Sequence, residues 1–368
     1  MSVSSVAAAT AGASVRLIDA SGWLPRDWDD IAVRTPSGDV FQSHAWGEAK
    51  RALGWTPLRI VIESEGQPIA VCFVQERSIV RRAGLARFRV HYAPRGPILL
   101  KPSAAAASLA LAGLRRLARE RGSVTLTIDP SWDEGTDAAG ALQSSGFRPA
   151  AREVQVSRTA MPIPLQATDE AQHHLLGDST ARNINKARRA GVTAEHVDLR
   201  DPAVREAALS EFFEMHAATG RREGFLVRNR DYEMDQWRRL AESELASLWF
   251  AGVGRRDNGV LLLHCGKTLL SFAAGSREDA DLRKTRANHF LQWEIMRWAA
   301  GAGFAAYDLG GVDTHDAPGL PQDERHPLWN LYEFKRGFGA EGAVRVRAHE
   351  YSPNPMLGLL WRWARRFR

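Results

Sequence analysis

Cysteine is nearly missing from this chain: Cys72 and Cys265 are the only two in 368 residues, far apart and in apolar, strand-like contexts. That scarcity excludes a disulfide framework and a thiolate metal site, and it implies a reducing compartment. Long apolar runs are missing as well. No stretch reaches the roughly 20 apolar residues that cross a bilayer as a helix. Residues 1–14, rich in Ser and Ala, lack the basic start of a secretory leader. The expectation is a cytoplasmic protein with a short, loose N-terminus. Histidines in a useful pattern are also lacking. His44, His91, His216 and His264 show no spacing for a Ser-His or Cys-His pair, and the adjacent His173 and His174 point apart on a helix or strand, so a metal is not expected.

What is present in quantity is arginine. The formal charge is +6, from 49 basic and 43 acidic side chains. Most of the excess is local, in three clusters: Arg182, Lys186, Arg188 and Arg189; Arg221, Arg222, Arg228, Arg230, Arg238 and Arg239; and Arg362, Arg365, Arg366 and Arg368. Polyanions fit such clusters, whether nucleic acid, diphosphates or an anionic membrane, and so does a plain solvated surface. The arginines are not interleaved with aromatics as in a base-stacking platform.

The length exceeds one typical core, so two domains are expected. FQSHAWGEAK (Phe41 to Lys50) reads as a short helix capped by Ser43, with Trp46 inward and Lys50 closing it. Thr56–Glu63 and Ile69–Gln75 alternate as a hairpin around Gly66. Ala104–Arg121 is an amphipathic helix, followed by the strand Val124–Ile128 that ends at Asp129-Pro130. The second half repeats this plan. A hairpin spans Leu248–Val253 and Val260–His264, another strand covers Lys267–Ala274, a helix covers 288–302, and a short strand ends at Asp308 before Gly310-Gly311. Helix, Ala, Gly, strand, Asp occurs twice, as Ala118, Gly122, Asp129 and as Ala299, Gly303, Asp308. This favours two similar α/β domains over one large sheet. Between the halves, DSTARNINKARRAGV is a helix capped by Asp178 or Ser179 and stopped by Gly191. Near the end, Leu328, Leu331, Tyr332 and Lys335 fall on one helical face, so an apolar stripe ends in a charge. Lys335 either snorkels to water or faces a cleft where it stabilises developing negative charge. Asp129 and Asp308 either cap turns or line a site at a strand end. Asp308 and Tyr332 are kept as substrate-binding candidates on that positional argument.

This order of strands and helices resembles the acetyltransferase-like (GNAT) fold, whose usual members hold acetyl-CoA on a Gly-rich turn at a helix start. That turn is missing: neither KPSAAAASLALA nor SREDADLRKTRAN contains a glycine. FQSHAWGEAK, YAPRGPIL, the IDP at Ile128 to Pro130, RNINKARRAGV, the spaced Thr219, Arg222, Phe225, Arg228 and Tyr232, YDLGG and LYEFKRGFG together resemble the FemABX family of peptidoglycan bridge-forming aminoacyltransferases, in its arm-less, FemX-like form. Asp231–Leu248 leaves no room for the coiled-coil arm of staphylococcal members.

The resemblance implies an α/β (α+β) chain of two tandem GNAT-like domains, residues 15–165 and 166–350, with residues 1–14 disordered and 351–368 a basic amphipathic tail. It implies transfer of an amino acid from aminoacyl-tRNA to the stem-peptide amine of a UDP- or lipid-linked muramyl pentapeptide, with no cofactor and no metal. By motif, Lys50 and Arg228 would hold the diphosphate with Tyr232 beside them. Lys335 would lie next to the transferring ester, and Asp129 would orient the attacking amine or take its proton. The helix 182–189 is one surface for tRNA. The tail PMLGLLWRWARRFR sets Leu360, Trp363 or Ala364, and Phe367 against four arginines, for contact with the inner face of the membrane or for packing on the second domain. The alternatives left open are another donor or amine acceptor on the same fold, and a non-catalytic RNA- or membrane-binding scaffold.

Overall fold

The computed structural model describes residues 14–80, 87–277 and 282–365. Its contacts divide the chain into two units, residues 1–158 with 344–368, and residues 159–343.

In the first unit, strands β1 (Val15–Asp19), β2 (Thr56–Ser64), β3 (Gln67–Val80) and β4 (Arg87–Arg95) run antiparallel in that order, and β5 (Ser123–Pro130) lies parallel to β4. A parallel neighbour requires a crossover, which helix α1 (Ala104–Glu120) supplies. Ser103 caps it by accepting from Ala106 N at 3.1 Å. Ala107, Ala110, Leu111, Leu114, Leu117 and Ala118 recur at helical spacing and are buried against Leu58, Ile60, Ile62, Leu126 and Ile128 of the sheet. Small residues bring the helix close: a Cβ at Gly113 would stand 3.0 Å from Ile62.

The second unit has the same logic. Strands β6 (Pro162–Pro164), β7 (Thr193–His196), β8 (Ala246–Gly252), β9 (Asn258–Cys265), β10 (Thr268–Ser276) and β11 (Ala306–Asp308) form one sheet in the order β7-β8-β9-β10-β11-β6. β11 is parallel to β10, joined through helix α6 (Ala287–Gly301). Further helices of this unit are α2 (Asp178–Arg189), α3 (Pro202–Glu223), α4 (Arg230–Glu242), α5 (Leu282–Thr285) and α7 (Trp329–Arg336). Helix α4 runs into β8 with only a short connection, so no coiled-coil arm intervenes between them.

Several details differ from the sequence reading. The second unit begins at Thr159 rather than 166, and the chain rejoins the first unit at Val344. There the strand His349–Tyr351 pairs antiparallel with β5 on one side and with Arg148–Pro149 on the other. The tail is therefore not a separate appendage: the helix Pro355–Arg365 belongs to the first unit and packs there on β5, where packing on the second domain was one expectation. Residues 1–13 and 366–368, including Arg366, Phe367 and Arg368, lie outside the described residues. Gly177, not Asp178 or Ser179, is the N-cap of α2, and no side chain caps that helix.

Candidate active site

In the second unit the residues converge on the turn after β11. Asp308 is 3% exposed, and its Oδ1 accepts from Met161 N at 2.9 Å and from Gly310 N at 2.8 Å. The carboxylate thus closes the turn, the capping role open from the sequence. Gly310 sits at φ +78°, a conformation costly for any residue with a Cβ. The two carbonyls this turn leaves pointing inward are met by Lys335, whose Nζ donates to Gly310 O at 2.9 Å and to Gly311 O at 2.8 Å.

Lys335 is the buried residue of α7, while Leu331 of the expected apolar stripe is 40% exposed. The snorkelling alternative is therefore wrong for Lys335: the helix turns its cation inward because two backbone acceptors need donors there. Removal from water pulls the ammonium down to about 8, and the nearby Asp308 carboxylate opposes that fall. Tyr332 is half-buried against the core, flanked by Trp329, with the Arg336 guanidinium 5.5 Å from its ring.

Arg228 and Tyr232 lie elsewhere in the same unit, where the loop after α3 enters α4. The exposed Arg228 guanidinium is 5.6 Å from the Tyr232 ring. Tyr232 accepts from Gln236 Nε2 at 3.2 Å, and burial pushes its phenol up to about 12. Among the described residues, no carboxylate pairs with Arg228. Thr219 and Arg222 serve the scaffold instead: Thr219 Oγ1 accepts from Ser276 N at 2.9 Å, and Arg222 Nη2 donates to Ser276 Oγ at 2.9 Å, pinning the end of β10 to α3.

In the first unit Lys50 closes the short helix His44–Ala49, whose N-cap Ser43 accepts from Trp46 N at 3.0 Å. Lys50 Nζ lies 4.0 Å from the centre of the Trp46 ring, a cation–π contact that holds the ammonium at the helix end. Gln42, fully buried, links the FQSHAW and YAPRGP blocks. Its amide accepts from Phe73 N at 2.6 Å and donates to Pro94 O at 2.5 Å, and a Cβ on Gly96 would come within 2.6 Å of it.

Asp129 is the internal partner of that assembly. It lies within β5, 3% exposed, opposite Pro94 in the parallel register. Oδ2 accepts from Tyr92 OH at 2.8 Å, and Oδ1 accepts from Arg95 N at 2.7 Å. Burial raises its carboxyl to about 6, against the pull of Arg95. Each oxygen thus accepts a hydrogen bond, and the carboxylate holds the Tyr92 hydroxyl and the Arg95 amide in place. Arg95 is held at φ +54°, rare for a residue with a side chain, and the Asp129 hydrogen bond to its amide helps to fix it there. Arg95 borders a cavity of about 550 Å³ that Ser103, Ser131, Trp132 and Thr136 also line.

The sequence reading missed Tyr92, Arg95 and Asp313. Asp313 is 4% exposed, and its Oδ1 accepts from Thr159 N at 3.0 Å and Thr159 Oγ1 at 2.6 Å, anchoring the loop after the Gly-Gly turn. It also missed a histidine pairing. Ser123 Oγ is 2.7 Å from His91 Nδ1, and His91 Nε2 is 2.9 Å from Glu76 Oε2. With Ser123 5% and His91 2% exposed, this chain ties β3, β4 and β5 together and presents no hydroxyl to a substrate.

The basic clusters separate into two kinds. In the second cluster, Arg238 pairs with Glu206, Arg239 with Asp235 and Arg222 with Glu223. On α2, Arg182, Lys186, Arg188 and Arg189 are all exposed while Thr180, Ile184 and Ala187 are buried, and among the described residues none of those four has a carboxylate partner.

Comparison with known proteins follows the same lines. A model of the acetyltransferase (GNAT) domain matches residues 178–324, and a model of the FemAB family matches residues 26–248. The Lipid II:glycine glycyltransferase of Staphylococcus aureus (strain MRSA252) is 23% identical over 411 residues, spanning 90% of this chain and 92% of that protein. A crystal structure of FemX superposes with a TM-score of 0.77 at 19% identity, covering 94% of this chain and 100% of that one. The C-terminal domain of a putative lysylphosphatidylglycerol synthetase from Agrobacterium fabrum gives 0.55 at 13% identity, covering 92% and 94%. The fold is a tandem of GNAT-like domains, and the match over residues 26–248, more than half of the chain, shows that this protein belongs to the FemAB family.

Proposed function

We propose that this chain is an aminoacyltransferase that moves an amino acid from aminoacyl-tRNA to the stem-peptide amine of a peptidoglycan precursor, forming an interpeptide bridge at the cytoplasmic face of the membrane. Membership of the FemAB family and similarity to Lipid II:glycine glycyltransferases support the reaction class and the acceptor. The observation that carries a chemical role is the buried Lys335 ammonium, held on the Gly310-Gly311 turn beside Asp308.

In this reading the neutral acceptor amine attacks the ester carbonyl carbon of the donor. A C–N bond forms, the carbonyl oxygen becomes an oxyanion, and the C–O bond to the ribose breaks as the amine proton passes to the leaving ribose oxygen. Lys335 carries three N–H donors, two of them on the turn carbonyls, and the third together with its full charge favours an oxyanion formed beside it. Little else is required of the protein, because an amine attacking an activated ester needs chiefly to be neutral and in place. No metal or acyl-CoA takes part.

Lys50 and Arg228 are read as diphosphate contacts, for which an ammonium and an exposed guanidinium are suited. Tyr232 and Tyr332 flank the substrates, and Asp308 and Asp129 position their neighbours. The exposed basic face of α2 is the surface assigned to the tRNA backbone.

The test is mass spectrometry of the acceptor after incubation with UDP-linked or lipid-linked muramyl pentapeptide and total charged tRNA, with acetyl-CoA in a parallel reaction. The expected result is a gain of one amino-acid mass that requires charged tRNA and is lost in Lys335→Ala. Modification by acetyl-CoA alone, or no gain on either acceptor, overturns the reading.

A further inference from the structure

The helix Pro355–Arg365 is well founded at its start. Asn354 Oδ1 accepts from Met356 N at 3.0 Å and from Leu357 N at 3.2 Å, and Pro355 occupies the first helical position. One face is docked on the first unit. Gly358 is buried so closely that a Cβ there would collide with the Ser352 side chain, and Leu357 and Trp361 are partly covered on the same side. The opposite face is apolar and open to solvent. Met356 is 76% exposed, Leu359 64%, Leu360 60% and Trp363 62%, at the i, i+3, i+4, i+7 spacing of a single stripe.

Exposed large apolar residues scattered singly need no explanation, but four in one helical stripe do. In sequence the segment's charge has one sign: residues 355–368 include Arg362, Arg365, Arg366 and Arg368 and no Asp or Glu. We infer that this stripe, Met356, Leu359, Leu360 and Trp363, is a docking face for an anionic phospholipid bilayer, with the helix lying in the plane of the headgroups and the rest of the first unit above it. An apolar stripe ending in Trp, in a segment whose only charges are arginines, fits the boundary between acyl chains and acidic headgroups. Polar RNA offers nothing for Leu and Met to bury against, and a second copy of the same face would set like charges together. The helix does not cross the bilayer: among the described residues no helix is long and apolar enough to do so. The biological sense of the inference, a lipid-linked acceptor, rests on the proposed function; the binding itself does not.

The experiment is co-sedimentation of the full chain with vesicles of phosphatidylcholine alone or with phosphatidylglycerol, comparing wild type with the double substitution Leu360→Ser, Trp363→Ser. Both positions are exposed, so the fold is kept, as circular dichroism will show. Wild type is expected to bind the phosphatidylglycerol vesicles, to be partly released by salt, and to leave zwitterionic vesicles largely unbound. The double variant is expected to bind roughly tenfold less or weaker still. Equal binding by the variant, no binding by wild type, or a wild-type dimer abolished by the substitutions without any vesicle binding overturns the inference.

Transfer assays separate the two readings. The variant should modify a soluble UDP-linked acceptor at the wild-type rate and lose only the vesicle-embedded one. If neither protein modifies any acceptor, the proposed function fails while the vesicle result stands on its own.

Discussion

Asp129 and Asp308 occupy corresponding places in the two units. Each belongs to a strand laid parallel to its neighbour by a returning helix, and each accepts a hydrogen bond from a backbone N–H brought in from a different stretch of chain, Arg95 in one case and Met161 in the other. Their surroundings then diverge. Around Asp129 the second oxygen meets a phenol, and burial lifts the carboxyl to about 6. Beside Asp308 stands Lys335, and burial acts on the cation instead, lowering it to about 8. One crossover device thus yields a buried carboxyl raised from its ordinary range in the first unit and a buried ammonium lowered from its own in the second. The shared strand–helix–strand–Asp pattern specifies a scaffold, and the third group added to it decides the chemistry.

The largest expected effect tests that asymmetry. Lys335→Ala should lower single-turnover transfer by roughly 10²–10³-fold, the usual loss for removing one donor to a developing oxyanion, whereas Asp129→Asn should lower it far less. Equal losses would erase the distinction between the units. The pH dependence follows from the same contrast. If the ammonium is the working form, transfer falls as pH rises through about 8, and Lys335→Arg moves that limb to higher pH. For stability the lysine's folded value lies below its ordinary 10.5, so between about 8 and 10.5 the unfolded chain binds the proton more strongly and this group makes stability rise with pH. Asp129 acts in the opposite sense at lower pH. Its folded value lies above the ordinary 3.8, so its contribution is present below that value and is lost as pH rises through about 6. Urea unfolding across pH should show both slopes, and Asp129→Asn should flatten the acidic one.

A somewhat smaller effect is expected from Asp129→Ala, which leaves the Tyr92 hydroxyl and the Arg95 amide without their acceptor. It should cost about 1–3 kcal/mol in urea unfolding, with Asp129→Asn recovering most of it. Smaller again, Arg228→Ala should raise the acceptor KM by about tenfold with little change in kcat, the sign of lost ground-state binding, and should leave the melting temperature unchanged because the side chain is exposed. The least effect is that of Ser43→Ala. Losing the cap bond to Trp46 N should destabilise the first unit by about 1 kcal/mol and disturb Lys50 only through its helix.

Much of this scaffold was legible in the sequence because local signals carry it. Ser43 caps where it stands, Gly122 and Gly303 follow the crossover helices at positive φ, and alternating runs mark the hairpins. The site was less legible. Tyr92 and Arg95 meet Asp129 across separations of 37 and 34 residues, set by the register of a parallel pair that no local pattern announces. The same holds for Ser123 and His91, 32 residues apart on neighbouring strands. Lys335 stood at the right place on its helix, but periodicity counts apolar residues and so assigned the inner face to Leu331, which is exposed. The need for a donor opposite two turn carbonyls is a tertiary fact.

The pairing of His349–Tyr351 with β5 bears on the order in which the molecule can be completed. That strand lies inside the first sheet, between β5 and Arg148–Pro149, yet it is synthesised after every residue of the second unit. A ribosome releasing this chain therefore exposes a first unit whose β5 edge is unpaired while residues 159–343 emerge as an uninterrupted segment. The later-made unit is free to finish first, and the earlier-made one waits with an open strand edge for its last piece.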